Sequence, residues 1–193
     1  MELSTIVGVD EAGRGPLAGP VVACAVIISQ NIDGITDSKK LTPKKRDLLA
    51  KLIEMQALDF SYGIVTAEEI DILNIHQATL LAMKRAIEGI NISFSEIWVD
   101  GCFAPNVKHK CKTFIQGDLH YPSISAASIL AKVKRDQMME DYELLYPGYD
   151  FKKHKGYGTA AHMAALQKLG PCPIHRTSFA PVKKCLNLMH EHA

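Results

Sequence analysis

Two apolar runs at the start of the chain limit its fold more than any other feature. Residues 3–9 end in Ile6-Val7-Gly8-Val9, and Pro20-Val-Val-Ala-Cys-Ala-Val-Ile-Ile28 follows after one Gly/Pro-rich turn. Short apolar runs rich in β-branched residues read as buried strands. The turn is too short for a crossover helix, so the pair is expected to form an antiparallel hairpin. Phe60–Val65, Glu96–Asp100 and Cys111–Ile115 read as further strands. Thr42 caps a helix from Pro43 to about Met55, because proline fits the first helical position, where its missing N–H is not needed. Residues 67–72 fit a short helical turn. Asn74 caps a helix to about Glu88, with Ala78, Leu81, Ala82 and Ile87 along one side. Residues 122–145 carry a long, Ser-capped helix, 159–169 a shorter one, and Val182–Leu188 a terminal one. Early strands followed by helix–strand alternation specify an α/β chain: a mixed five-stranded sheet flanked by helices.

At 193 residues, with 47% hydrophobic and 22% charged residues, the chain has material for one sizeable core. Residues 1–193 are therefore read as one domain, with a short helical tail over about 171–193 after the break at Gly170-Pro-Cys-Pro173. The longest apolar run, Val21–Ile28, is strand-sized and too short to span a membrane. Met1-Glu2-Leu3-Ser4 lacks the basic and apolar regions of a secretion signal, and five cysteines without a C-x-x-C pair fit reduced thiols. A cytoplasmic monomer without membrane contact is expected. The net charge is only +1, yet bases cluster at Lys39-Lys40, Lys44-Lys45-Arg46, Lys108–Lys112, Lys132–Arg135 and Lys152–Lys155. Such clusters around an acidic centre suit a polyanion held at a metal site.

That acidic centre is Asp10-Glu11, at the end of the first strand. Asp100 ends the fourth strand, and Asp118 follows the fifth in Gln116-Gly117-Asp118. In open α/β sheets, sites gather outside strand ends, so the carboxylates converge if strands one, four and five are neighbours. Close carboxylates repel, and a hard oxygen-seeking cation such as Mg²⁺ or Mn²⁺ neutralises them. Successive strand residues point to opposite faces, so the strand is expected to end or bulge at Asp10-Glu11. Gly13-Arg14-Gly15-Pro16-Leu17-Ala18-Gly19 is not a dinucleotide loop, since its spacing is G-x-G-x-x-x-G and a strand follows it. No P-loop motif occurs. The start of the long helix, with Ser125 and Ser128, fits either core packing or phosphate contact. Asp136 fits either an accessory to the site or the partner of a neighbouring base. Tyr157, between Gly156 and Gly158 in a basic run, fits either a packed loop residue or a platform that stacks on a sugar or base.

These stretches together resemble bacterial ribonuclease HII. The likeness rests on Val9-Asp-Glu-Ala-Gly-Arg-Gly-Pro-Leu-Ala-Gly-Pro20, Asp37-Ser-Lys-Lys-Leu41, Asn74-Ile75 with Gln77-Ala78, Val99-Asp100-Gly101 and Gly117-Asp118. It continues through Ser125-Ala-Ala-Ser-Ile-Leu-Ala-Lys132, Arg135-Asp136, His154-Lys-Gly-Tyr-Gly-Thr159, His175-Arg176 and Ser178-Phe-Ala-Pro-Val182. His76 stands where the family usually has an aliphatic residue, and Cys172 lies in the Gly/Pro-rich turn. The resemblance implies a ribonuclease H-like fold. It implies hydrolysis of RNA in RNA–DNA hybrids and nicking 5′ to single ribonucleotides in duplex DNA. Catalysis would use two Mg²⁺ or Mn²⁺ ions and leave 5′-phosphate and 3′-hydroxyl ends. Asp10, Glu11, Asp100 and Asp118 match the metal-binding acids. Gly13, Arg14 and Gly15 match a loop sensing the ribose 2′-OH. Tyr157 matches a residue stacking on the sugar, while Lys39, Ser125 and Ser128 lie on the phosphate path. A replication-clamp contact is compatible with the family, although no clear motif for one stands in the chain. Two other readings use the same residues. A non-catalytic hybrid-binding module is disfavoured by the full set of acids, and a small-molecule phosphatase by the spread of basic clusters.

Overall fold

The structure, a computed structural model, describes residues 5–35 and 41–191. Lys39, assigned to the phosphate path, lies outside the described residues, as does most of the Asp37-Ser-Lys-Lys-Leu41 segment. Five strands occur in chain order: β1 (Ile6–Ala12), β2 (Val21–Ile28), β3 (Ala57–Val65), β4 (Glu96–Asp100) and β5 (Cys111–Phe114). They form one mixed sheet in the order β3-β2-β1-β4-β5. The β1–β2 and β2–β3 pairs are antiparallel, as the short first turn requires, whereas β1–β4 and β4–β5 are parallel. Strands one, four and five are therefore neighbours, which is the condition for the acids to converge.

Helices cover both faces. On one side lie α2 (Ala67–Leu73) and α3 (Ile75–Glu88), on the other α1 (Pro43–Gln56) and α5 (Pro122–Leu145). Val7, Val9, Ala23 and Ala25 pack against Ala78, Ala82 and Ala86 of α3. Cys24 and Val26 pack with Ala126, Ile129 and Leu130 of α5. Covered on both faces, β2 has every residue from Val21 to Ile27 buried, and this is why its sequence is a continuous apolar run rather than an alternation. Gly8 sets the distance between layers. A Cβ there would overlap the backbone of Ser123 and stand 2.6 Å from the Ile124 nitrogen, so only glycine lets the first turn of α5 rest on β1.

The sequence signals place most elements. Thr42 caps α1 through the Lys45 N–H, with Pro43 in the first turn. Asn74 caps α3 by accepting from the His76 and Gln77 N–H groups at 3.0 and 3.1 Å. Four features differ. First, β1 neither ends nor bulges at Asp10-Glu11. It stays in register with β2 through Ala12↔Val22, while its pairing with β4 stops at Val9↔Val99. Second, α5 has no serine cap. It starts at Pro122 behind Tyr121, and the Ser125 hydroxyl instead bonds the Tyr121 carbonyl one turn back. Third, two four-residue helices escape a periodicity reading because each is barely one turn: α4 (Gly117–His120) and α6 (Phe151–His154). Fourth, beyond α7 (Ala160–Leu169), the terminal helix α8 extends over Ala180–Glu191 rather than 182–188. No helix among the described residues is long and apolar enough to cross a membrane.

Candidate active site

The end of the β1–β4 pairing creates the site. Past Val9 and Val99, β1 continues beside β2 alone, and a gap opens where β4 has stopped. Asp10 follows the parity of Gly8 and faces α5, whereas Glu11 follows Val9 and faces α3. Both reach the gap because no neighbouring strand separates the two faces there. A cavity of about 280 Å³ is walled by Asp10, Glu11 and Asp100, with the Ala12–Gly15 turn on one side and Ser128, Lys132, Arg46 and Tyr157 on the other. A larger cavity of about 830 Å³ between α7 and α8 is lined by Met163, Leu166, Leu188 and Met189 and carries none of these acids.

Charge is concentrated in the gap. Asp10 is almost wholly buried. Burial pushes its carboxyl well above the usual range, and the nearby Glu11 and Asp100 carboxylates push it further. The Ser128 hydroxyl and the Glu11 N–H, which donates to Asp10 Oδ1 at 2.7 Å, oppose that shift only in part. Glu11 is also raised by burial, with relief from Arg14, whose guanidinium lies 3.6 Å from Glu11 Oε1. Asp100 Oδ1 accepts from the Gly117 N–H at 2.7 Å. That bond ties α4 to the end of β4; the neighbouring Asp118 is buried and does not line the cavity. Among the described residues, no group of three or more His, Cys, Asp or Glu side chains is drawn together closely enough, as it stands, to hold a metal ion. The donor set is carboxylate throughout, and its mutual repulsion is what a hard divalent cation relieves, so these residues fit Mg²⁺ or Mn²⁺.

The glycine turn is held from beneath by two buried arginines. Arg176 donates to the carbonyls of Gly13, Arg14 and Gly19, with Nη1 2.9 Å from Arg14 O and Nε 3.0 Å from Gly19 O. Arg135 donates to Pro20, Ala18 and Lys155 carbonyls at 3.0–3.1 Å. Both guanidiniums are fully buried, and desolvation lowers them to about 9 for Arg176 and about 10 for Arg135. Gly13 has φ +95°, and a Cβ there would run into the Arg135 side chain. With its carbonyls tied back, the Gly13–Gly15 turn edges the cavity opposite Tyr157, whose ring would stand 3.7 Å from a Cβ on Gly15. Asp71 of α2 holds the segment after Arg176 by accepting from the N–H and hydroxyl groups of Thr177 and Ser178, which keeps its carboxyl below the usual range.

Asp10, Glu11, Gly13, Arg14, Gly15, Asp100, Ser128 and Tyr157 thus share one cavity. Ser125 lies apart. Its hydroxyl donates to the Asp118 carbonyl at 2.5 Å, and it lines a second cavity with His120 and Ile32. Asp136 resolves as the partner of bases: Lys132 Nζ is 2.6 Å from Oδ1, and Arg46 Nη1 is 3.8 Å from Oδ2. Sequence reading gave no site role to Arg46 and Lys132, which form the basic wall. Their signals were membership of two basic clusters and, for Lys132, the end of the Ser125–Lys132 segment, and which members face the acids depends on how α1 crosses α5. Nor did it give a role to Arg135 and Arg176.

An α/β sheet of this order, with carboxylates gathered near the ends of the adjacent parallel strands β1 and β4, is the architecture of the ribonuclease H-like nucleases, a class that depends on divalent metal. The Ribonuclease HII family model matches residues 7–182. A "Ribonuclease HII" from Burkholderia lata is 52% identical over 186 residues, covering 95% of this chain and 87% of its own. The ribonuclease H2 crystal structure from Pyrococcus horikoshii superposes with a TM-score of 0.82 at 26% identity, covering 97% of this chain and 99% of its own. The structure titled Bst-RNase HIII in complex with Mn²⁺ has the same fold, with a TM-score of 0.75 at 16% identity over 97% of this chain and 71% of that one. The chain belongs to the ribonuclease HII family and is a ribonuclease H endonuclease acting on RNA–DNA.

Proposed function

We propose that this enzyme cleaves the RNA strand of RNA–DNA hybrids and nicks duplex DNA 5′ to single embedded ribonucleotides, leaving 5′-phosphate and 3′-hydroxyl ends. One observation carries the reading: Asp10, Glu11 and Asp100 wall the same cavity as the tied-back glycine turn. Chemistry and choice of sugar can then act on one nucleotide. Asp10, Glu11, Asp100 and Asp118 would hold two Mg²⁺ or Mn²⁺ ions. Bound there, such ions supply an activated water and stabilise charge on the leaving 3′ oxygen.

The chain's own groups orient and select. Ser128 fixes the Asp10 carboxyl, and Arg14 balances Glu11. The amides of the Gly13–Gly15 turn, whose two glycines carry no side chain, face the ribose 2′-OH, the one group DNA lacks. A deoxyribose would leave that polar surface unmatched, at about 1–3 kcal/mol. Tyr157 stacks on the ribose, and Arg46 and Lys132 meet the backbone phosphates. The protein works as one domain and as a monomer in the cytoplasm.

Asp10→Asn tests the reading. The variant should bind a duplex carrying one ribonucleotide about as tightly as the wild type, yet fail to cleave it in Mg²⁺ or Mn²⁺. Wild-type turnover by this variant would refute the assignment of the acids.

A further inference from the structure

Beneath Tyr157 lie three buried histidines that take no part in the chemistry above. His154 and His162 stack with centroids 4.4 Å apart, and His162 Nε2 lies 3.0 Å from His175 Nε2. Each ring packs on Phe151. The titratable groups against the rings are one another, Tyr149 and Cys172.

Hydrogen-bond partners assign every proton in this chain of contacts. His162 Nδ1 is 2.9 Å from the Tyr157 carbonyl, which only accepts, so Nδ1 carries the proton. His162 Nε2 is then an acceptor, and His175 Nε2 must be the donor across their 3.0 Å contact. That leaves His175 Nδ1 to accept, which it does from the Cys172 N–H at 2.9 Å, the shorter of its two backbone contacts; the Cys172 carbonyl stands 3.3 Å away and the thiol 3.1 Å. His154 accepts from the Gly156 N–H at Nδ1 and donates from Nε2 to the Tyr149 carbonyl at 2.7 Å. All three imidazoles are uncharged in this pattern. A proton added to His162 would set two N–H groups against each other.

The backbone they hold is strained. Lys155 has φ 51° and Gly156 φ 84°, and a left-handed non-glycine residue persists only where its surroundings fix it. Arg135 holds the Lys155 carbonyl, His154 the Gly156 amide and His162 the Tyr157 carbonyl, the last shared with the Thr159 N–H.

We infer that His162 and His175 are positioning residues for ribose recognition: their one-way hydrogen-bond relay, from Cys172 to the Tyr157 carbonyl, sets the Tyr157 ring against the Gly13–Gly15 turn. The inference rests on the reading of Tyr157 as the residue that meets the sugar. A residue acting through Tyr157 changes substrate engagement. A merely structural loss would lower the active fraction and hence apparent kcat, leaving KM alone.

Two measurements test it. In wild-type protein labelled with ¹⁵N-histidine, long-range NMR at pH 7 should find His154 and His175 protonated at Nε2 and His162 at Nδ1. The opposite tautomer or a charged ring at His162 or His175 overturns the relay. In cleavage kinetics on a duplex with one ribonucleotide, His162→Ala should raise KM about tenfold, the factor of one lost hydrogen bond. His162→Asn, whose amide reaches the Nδ1 position, should recover most of that loss, and adding Tyr157→Ala to His162→Ala should cost nothing more. Additive losses with a genuine Tyr157→Ala defect overturn this inference alone. A Tyr157→Ala variant with wild-type KM overturns the reading of Tyr157 and the inference with it.

Discussion

Replacing Arg176 by methionine keeps much of the apolar stem and removes the group that ties down the glycine turn. The guanidinium is wholly buried and supplies the carbonyls of Gly13, Arg14 and Gly19. Leaving the buried Gly13 and Gly19 carbonyls and the part-buried Arg14 carbonyl without a donor costs at most about 1–3 kcal/mol each, so the gross loss is about 3–9 kcal/mol. Part of this is offset, because the buried cation is itself costly, as its lowered pKa of about 9 records. A net loss of about 3 kcal/mol remains, and at about 2–4 °C per kcal/mol for a chain of this size Tm should fall by about 6–12 °C. The functional effect should exceed the thermal one. With its carbonyls released, the Gly13–Gly15 turn loses the geometry that distinguishes ribose from deoxyribose. Arg176→Lys keeps the charge but cannot span three carbonyls, so it should lie between wild type and Arg176→Met. Thermal unfolding measures the first effect, and cleavage of a duplex with one ribonucleotide, assayed well below the variant's Tm, measures the second. A Tm within about 2 °C of wild type, with unchanged cleavage, would refute the role given to Arg176.

Gly8→Ala should drive α5 off β1 and cost about 3 kcal/mol by forcing backbone apart, with a matching fall in kcat as Ser128 leaves Asp10; a melting temperature equal to wild type would contradict the close approach. Saturating Mn²⁺, at about one hundred times its Kd, should stabilise the metal-free protein by about 2.7 kcal/mol, and Asp10→Asn should abolish most of that gain in a thermal shift experiment. Stability should also fall in acid. His175 is lowered from 6.5 to about 4 by burial and by His162, so the folded state binds fewer protons than the unfolded chain. Its contribution is complete above about pH 6.5 and is withdrawn as pH drops towards about 4, on the order of 3 kcal/mol in all. Urea midpoints at pH 7 and pH 4.5 measure it, and an unchanged midpoint would contradict the buried, neutral imidazole.

The parts of this molecule legible in its sequence are those written in local chemistry. Val21–Ile28 reads as a doubly covered strand because every side chain is apolar. Thr42-Pro43 and Asn74 read as helix starts because the capping groups lie within three residues of what they cap. Asp10-Glu11 and Asp100 read as a site because acids following buried strands have few other uses. What stayed hidden is non-local. Nothing near Ala12 reveals that β1 continues on its β2 side after losing β4, since the cause is the length of β4, more than eighty residues away. Arg176 reaches Gly13 across 163 residues, and His162 meets His175 across a helix and a turn. Such contacts leave no periodicity and no motif spacing, only a buried arginine or histidine that has to find a partner.

The central claim is that the acids and the glycine turn act together on one ribonucleotide. It is tested most directly by mapping cleavage of two DNA duplexes identical except for one 2′-hydroxyl, with Mg²⁺ or Mn²⁺ present. The account predicts a single nick immediately 5′ to the ribonucleotide, ending in 3′-hydroxyl and 5′-phosphate, and none in the all-deoxy duplex. Equal cleavage of both duplexes, or a nick 3′ to the ribonucleotide with a cyclic phosphate, would contradict it.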